Sequence, residues 1–238
     1  MVAVDRDKLG AWVQPQHLEE AALVRYRQSF ESHPAHLLVV KNFLQPQVAE
    51  RLSGFLSKEA EFKITYGLHS TEAAVSEDAW NQAEDDDRLF KLGRLVGTAP
   101  QFARSPNALT YLQFRMTFQR PELKAFFESI TGISLGNSDD FGAQAMEYGD
   151  LLRPHSDDNR NREIALVIYL APDWKPEFGG QLRVVHLDGK DTVVEAEYNS
   201  MIVFNVHTHS AHAVEPVRPR NSGGNRRLTI GGWYHTPG

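Results

Sequence analysis

A mainly β fold with flanking helices, an antiparallel sandwich or barrel of the jelly-roll kind, is predicted by three features of the sequence. Six short apolar runs crowd the C-terminal part: Gln144 to Tyr148, Ile164 to Leu170, Gln181 to His186, Thr192 to Glu197, Met201 to Val206 and Leu228 to Tyr234. Turn residues at Phe178-Gly-Gly, Leu187-Asp-Gly-Lys and Asn221-Ser-Gly-Gly-Asn separate them, with no helical period between. The first half instead carries apolar residues at helical spacing, so helices are expected to cover one outer face of the barrel. Neither an internal repeat nor a Gly/Ser or Pro linker divides the chain. It is read as one unit, 1–238, with a helical and strand flank at 1–140 and a barrel core at 141–238.

Taken in order, Leu18, Ala21, Ala22 and Leu23 predict a helix between Pro15 and Phe30. The compact run His36 to Leu44 reads as a strand. A second helix is predicted through Val48, Leu52, Phe55 and Leu56, with Pro46 suited to its first turn. Between Ile64 and Asp87 there is no Lys or Arg, while Glu72, Glu77, Asp78, Glu84, Asp85, Asp86 and Asp87 crowd together. Like charges at that density repel, so a solvated loop is expected, with a substrate lid or docking loop as the functional alternative. Leu89, Leu92, Leu95 and Val96 suggest a short helix. Alternation of Leu112, Phe114, Met116 and Phe118 with Gln113, Arg115 and Thr117 predicts a strand, and Leu123, Phe126, Phe127 and Ile130 a helix capped by Gly132.

Composition narrows the function. Of the 238 residues, 41% are hydrophobic and 24% charged, so a sizeable core is available and disorder is excluded. A net charge of −6 argues against a general nucleic-acid binder and favours a small solute or a protein partner. Absence of cysteine removes disulfides, thiolate metal sites and Cys nucleophiles together, leaving His and carboxylate to hold any metal. The N-terminus has no apolar signal core and no stretch is long enough to span a bilayer, so a cytoplasmic chain without membrane contact is expected.

Against that background, His155-Ser-Asp157 is informative, because one intervening residue at a strand end lets two donors face one cation. A second cluster, His207, His209 and His212, follows the apolar run Met201 to Val206. One imidazole from it would complete two imidazoles and one carboxylate, a set suited to non-haem Fe(II) that also serves catalytic zinc. Arg226-Arg227 heads the last strand, and a guanidinium inside a barrel needs an anion to offset its desolvation.

In this order, YGDLLRPHSDD, REIALVIYL, DWKPEFGGQLRV, HAVEPV and RRLTIGGWYH resemble the Fe(II)- and 2-oxoglutarate-dependent dioxygenases, specifically their prolyl-hydroxylase-like branch. The resemblance runs from residue 144 to 235. More weakly, HLLVVKNFLQPQVAERL and FFESITGISL look like the N-terminal part of the ribosomal-protein prolyl hydroxylases. Those relatives carry a second, non-catalytic barrel, and a sequence ending at Gly238 reads as a single-barrel relative. The resemblance implies a double-stranded β-helix with His155, Asp157 and His212 as iron ligands, His212 being chosen by its H-x-V-x-P-V setting. His207 and His209 would then stand at the rim or behind the ligands. It further implies Arg227 and Tyr169 as anchors of the distal carboxylate of 2-oxoglutarate, and Tyr148 beside them, though Tyr148 reads equally as a core aromatic. Implied cofactors are Fe(II), 2-oxoglutarate as cosubstrate and O2, with ascorbate as a reductant. A carboxylate at 157, where related halogenases have a small residue, implies hydroxylation.

The implied activity is hydroxylation of a prolyl residue or amino-acid-like substrate, with succinate and CO2 formed. Alternatives are the same oxygenase chemistry on a small-molecule natural-product intermediate, and a non-catalytic cupin-like metal binder, which has no need of Arg227 and Tyr169. Trp174 and Gly179-Gly180 read as structural, Trp233 as core or pocket wall, and Arg115 and Arg162 as surface pairs or contacts to a substrate carboxylate.

Overall fold

The structure is a computed structural model describing residues 4–71, 73–138, 141–158, 161–218 and 226–238. The turn expected at Asn221–Asn225 and Glu72 of the acidic segment lie outside these residues. Helices α1 (Arg6–Leu9), α2 (Glu20–Ser32), α3 (Pro46–Lys58), α4 (Glu77–Gln82), α5 (Pro106–Phe118) and α6 (Pro121–Thr131) interleave with strands β1 (Leu37–Val40), β2 (Ala60–Leu68) and β3 (Arg88–Thr98). Strands β4 (Gly142–Met146), β5 (Leu151–His155), β6 (Arg162–Tyr169), β7 (Leu182–His186), β8 (Asp191–Val194), β9 (Met201–Asn205), β10 (His209–Val214) and β11 (Arg227–His235) follow.

All strand pairs are antiparallel, in the order β1-β9-β6-β11-β4-β3-β5-β10-β7-β8, with β2 paired to β3 beside that path. The two ends of that order come round to one side: Leu37 of β1 and Val194 of β8 belong to one buried apolar cluster, and Thr192 of β8 is 3.2 Å from the His33 ring ahead of β1, so the sheet is curled into a half-barrel. Strand alternation sorts the side chains between its two faces. Ile164, Leu166 and Ile168 of β6, Met201 and Val203 of β9, and Leu228, Ile230 and Tyr234 of β11 face outward, against Phe30, Phe55, Phe114, Phe118, Phe126 and Phe127 of the helical layer. Ala165, Val167 and Tyr169, with Ile202 and Phe204, face inward. Because β6 and β9 are covered on both sides, they read as unbroken apolar runs.

Three local expectations differ from the structure. The run at 88–98 is β3, not a helix: it pairs with β2 over its whole length, and Gly93 lets the Ala145 carbonyl approach where a Cβ would stand 3.0 Å from it. Residues 106–118 form helix α5, not a strand. Its buried side is Tyr111, Phe114 and Phe118 with Ala108, whereas Leu112 and Met116 are exposed, so the alternation of large residues was coincidental. The acidic segment is not one loop, since it contains the end of β2, helix α4 and a 3-10 turn at Asp85–Asp87. Two strands, β5 and β10, escaped the apolar pattern because their histidines, Arg153 and Pro154 break it. The helix expected from Pro15 begins as a 3-10 turn, Pro15–His17, before α2. Gly132 caps α6 as expected, in the left-handed region at φ +77°.

Candidate active site

Strands β5 and β10 are neighbours, and His155 stands directly opposite His212 in their register. Their rings lie 4.2 Å apart between centroids. Asp157, just past the end of β5, turns back onto both: Oδ1 is 3.8 Å from His155 Nε2, and Oδ2 is 3.3 Å from His212 Nε2. One donor atom from each of the three lies within 4.8 Å of the others. Asp157 and His212 are buried and His155 is half-buried.

Each side chain is held from behind. His155 Nδ1 donates to the Arg153 carbonyl at 2.9 Å, which leaves Nε2 facing the cluster. His212 Nδ1 is 3.1 Å from His209 Nε2. Asp157 accepts from Arg162 Nη1 at 2.9 Å and from Trp233 Nε1 at 2.8 Å, and the Arg162 guanidinium stacks 3.6 Å above the Trp233 ring. For the Asp157 carboxyl, burial pushes the pKa up, but His212, His155 and Arg162 outweigh it and hold it well below the usual carboxylate range. Burial, reinforced by the neighbouring His212, lowers His155 to about 4 against the opposing pull of Asp157. The cluster is therefore one carboxylate and two imidazole faces, a donor set matched to a divalent cation.

A second polar group lies on the same inner face. Arg227 and Thr229 alternate inward on β11, and Thr229 stands opposite Tyr169, so the Arg227 guanidinium sits 4.9 Å over the Tyr169 ring. Arg227 is 3% exposed; Nε donates to the Gly180 carbonyl at 2.7 Å, and Nη1 lies 3.7 Å from the Met146 sulfur. No ion pair to it exists among the described residues. The Tyr169 hydroxyl is buried without a hydrogen-bond partner among the described residues, and burial raises its pKa, keeping it a neutral donor. A buried cation beside an unanswered hydroxyl fits a carboxylate. The distal carboxylate of 2-oxoglutarate would answer that pair, as Fe(II) would suit the three-donor cluster.

The remaining candidates fall elsewhere. Tyr148 is 65% exposed in the turn after β4, so it is neither a core aromatic nor gathered with Arg227 and Tyr169. Arg226 points to the opposite face, where it reaches the Leu56 and Ser57 carbonyls and covers the Phe62 ring. His207 is at the rim, bridging Asp158 and Glu163. Arg115 is exposed on α5, in the helical layer. Sequence reasoning treated Gly179-Gly180 as a tight entry to β7; in addition, a Cβ at Gly180 would lie 2.7 Å from Arg227 Cδ, so this glycine makes room for the arginine. Trp174 holds the same turn through Nε1 to the Gly179 carbonyl. The grip of Arg162 and Trp233 on Asp157 was not foreseen, since it depends on how β6 and β11 close around the cluster.

Residues 141–235 match the family model of the 2OG-Fe(II) oxygenase superfamily. Mouse prolyl 3-hydroxylase OGFOD1 is 30% identical over 122 residues, covering 49% of this chain but 22% of its own length. The chain thus spans about a fifth of that relative. A prolyl-4-hydroxylase of Pseudomonas putida superposes with a TM-score of 0.59 at 20% identity, covering 91% of this chain and 100% of that one. A Trichoplax adhaerens prolyl hydroxylase, solved with a peptide fragment of the hypoxia inducible factor oxygen degradation domain, gives 0.59 at 14% identity, covering 91% and 93%. At these identities the superpositions show the shared fold.

Proposed function

We propose, from the match of residues 141–235 to the family model of the 2OG-Fe(II) oxygenase superfamily, that the protein is a 2-oxoglutarate-dependent oxygenase that hydroxylates a prolyl residue of a peptide or protein. The observation that carries the oxygenase reading is the buried Arg227 guanidinium, which has no carboxylate partner among the described residues, beside the unsatisfied Tyr169 hydroxyl and on the same inner face as the His155, Asp157 and His212 donors. The prolyl substrate is supported by the activity named for the mouse relative.

In this reading His155, Asp157 and His212 hold the ferrous ion. Held there, Fe(II) with 2-oxoglutarate would supply the oxidative chemistry of hydroxylation: O2 plus 2-oxoglutarate and a substrate C–H would give succinate, CO2 and the hydroxylated product. The protein's own part is binding, orientation and exclusion of water. Arg227 offers paired N–H donors to the distal carboxylate, and the Tyr169 hydroxyl adds a third. Both are fixed before binding, Arg227 by the Gly180 carbonyl and Tyr169 by burial on the inner face of β6. Asp157 is held stationary by Arg162 and Trp233, so its carboxylate would meet the metal without reorganisation. Phe204 stands edge-on to His212 at 5.1 Å, and with Val184 and Ile202 it keeps the inner face dry.

The experiment is anaerobic reconstitution with Fe(II) and 2-oxoglutarate, then aerobic turnover against a library of prolyl peptides. Succinate release coupled to a mass gain of one oxygen on proline is expected, abolished in Asp157→Ala. Coupled turnover on free amino acids or small molecules, with every prolyl peptide untouched, would overturn the prolyl assignment.

A further inference from the structure

We propose that His209 is a positioning residue that fixes the tautomer of His212, so that the His212 ring presents a bare Nε2 to a divalent cation. The inference rests on His212 being a ligand, and it assigns a role to a histidine that does not itself face the cation. The Asn205 carbonyl can only accept, and it lies 3.0 Å from His209 Nδ1, so that nitrogen carries the proton. In the neutral ring His209 Nε2 is then an acceptor, and its partner at 3.1 Å is His212 Nδ1. His212 must donate there, which strips the proton from its Nε2.

A competing arrangement explains why such a device is needed. Asp157 Oδ2 is 3.3 Å from His212 Nε2, and a carboxylate at that distance favours a proton on Nε2, the form that cannot bind metal. His155 meets the same competition with a backbone carbonyl, that of Arg153, directly behind its Nδ1. His212 sits mid-strand, where backbone carbonyls serve the β-ladder, and so uses a side chain to relay the Asn205 carbonyl. The ladder slip between His209 and Ala211 lets the two histidines share a side of β10. His209 is 4% exposed, and its ring is edge-on to Phe204, so the contact is built into the barrel wall.

The test compares wild type, His209→Phe and His209→Gln, whose amide can span the same two partners. In the metal-free full-length protein at neutral pH, long-range proton–nitrogen spectra should place the His212 proton on Nδ1 in wild type and His209→Gln, and on Nε2 in His209→Phe. Cobalt(II) affinity should fall roughly 10–100-fold in His209→Phe, the usual cost of losing such a partner, and return in His209→Gln. His209→Leu replaces His209→Phe if the latter does not fold. Wild-type tautomer and cobalt(II) affinity in the apolar variants, with affinity lost in His212→Ala, would overturn the inference and leave the ligand reading standing. Unchanged affinity in His212→Ala would instead overturn the ligand reading.

Discussion

Arg227 shows how one side chain combines burial, charge and placement. Its aliphatic stem lies against Gly180, where a Cβ would be only 2.7 Å away, and its head meets a carbonyl, a sulfur and an aromatic face, but no carboxylate among the described residues. Leaving a guanidinium that dry is costly unless an anion completes it. Arg227→Ala is therefore expected to weaken 2-oxoglutarate binding by about 2–5 kcal/mol, the usual cost of removing one partner of a buried charge pair. That is roughly thirtyfold or more in dissociation constant, while cobalt(II) affinity without 2-oxoglutarate stays near wild type. Calorimetric titration reads both numbers, and an unchanged 2-oxoglutarate constant would assign the anchor elsewhere.

At the scale of elements, the sequence was legible where local chemistry and tertiary packing agree. The Gly132 cap, Pro46 at a helix start and the doubly covered strands β6 and β9 all follow from residues close in the chain. Helix α5 was misread because its large residues alternate by chance, although Ser105-Pro106 is a helix-start signal that the alternation obscured. Ser105 Oγ accepts from the Ala108 N–H at 2.9 Å and donates to the buried Glu59 carboxylate. Ser105→Ala removes the cap and strips a donor from Glu59, so a loss of about 2 kcal/mol is expected in denaturant unfolding; a loss below a few tenths would show that the cap is idle. Strand β3 was misread because leucine spacing says nothing about β2, the partner that holds it extended.

The same α5 surface sets an alkaline limit. Tyr111 stacks on Phe55 with centroids 4.5 Å apart, and burial pushes its hydroxyl up to about 12 from an ordinary value near 10. The native state thus keeps a proton that the unfolded chain releases first, so this contribution is intact below pH ~10 and is lost as pH rises toward ~12. At about 1.4 kcal/mol per unit, it amounts to about 3 kcal/mol. Tyr111→Phe should flatten that part of the stability–pH curve, and an equally steep decline in the variant would place the alkaline sensitivity in other tyrosines.

Over the whole molecule, the curled sheet divides its side chains into an outer layer that carries stability, under the helices, and an inner layer that carries polar groups. His155, Asp157, His212, Tyr169 and Arg227 could be picked out in the sequence because short spacings and the family resemblance mark them. The roles of Arg162, Trp233 and Gly180 could not, because their partners lie on other elements and meet them only when the sheet closes; His209, read as standing at the rim or behind the ligands, reaches His212 through the ladder slip within β10. No helix among the described residues is long and apolar enough to cross a membrane. The most direct test is an anaerobic optical titration of the full chain with Fe(II) and then 2-oxoglutarate. A weak visible charge-transfer band should appear only when both are present, and should be absent in His155→Ala. The same spectrum with and without 2-oxoglutarate, or a band that survives in His155→Ala, would contradict the account.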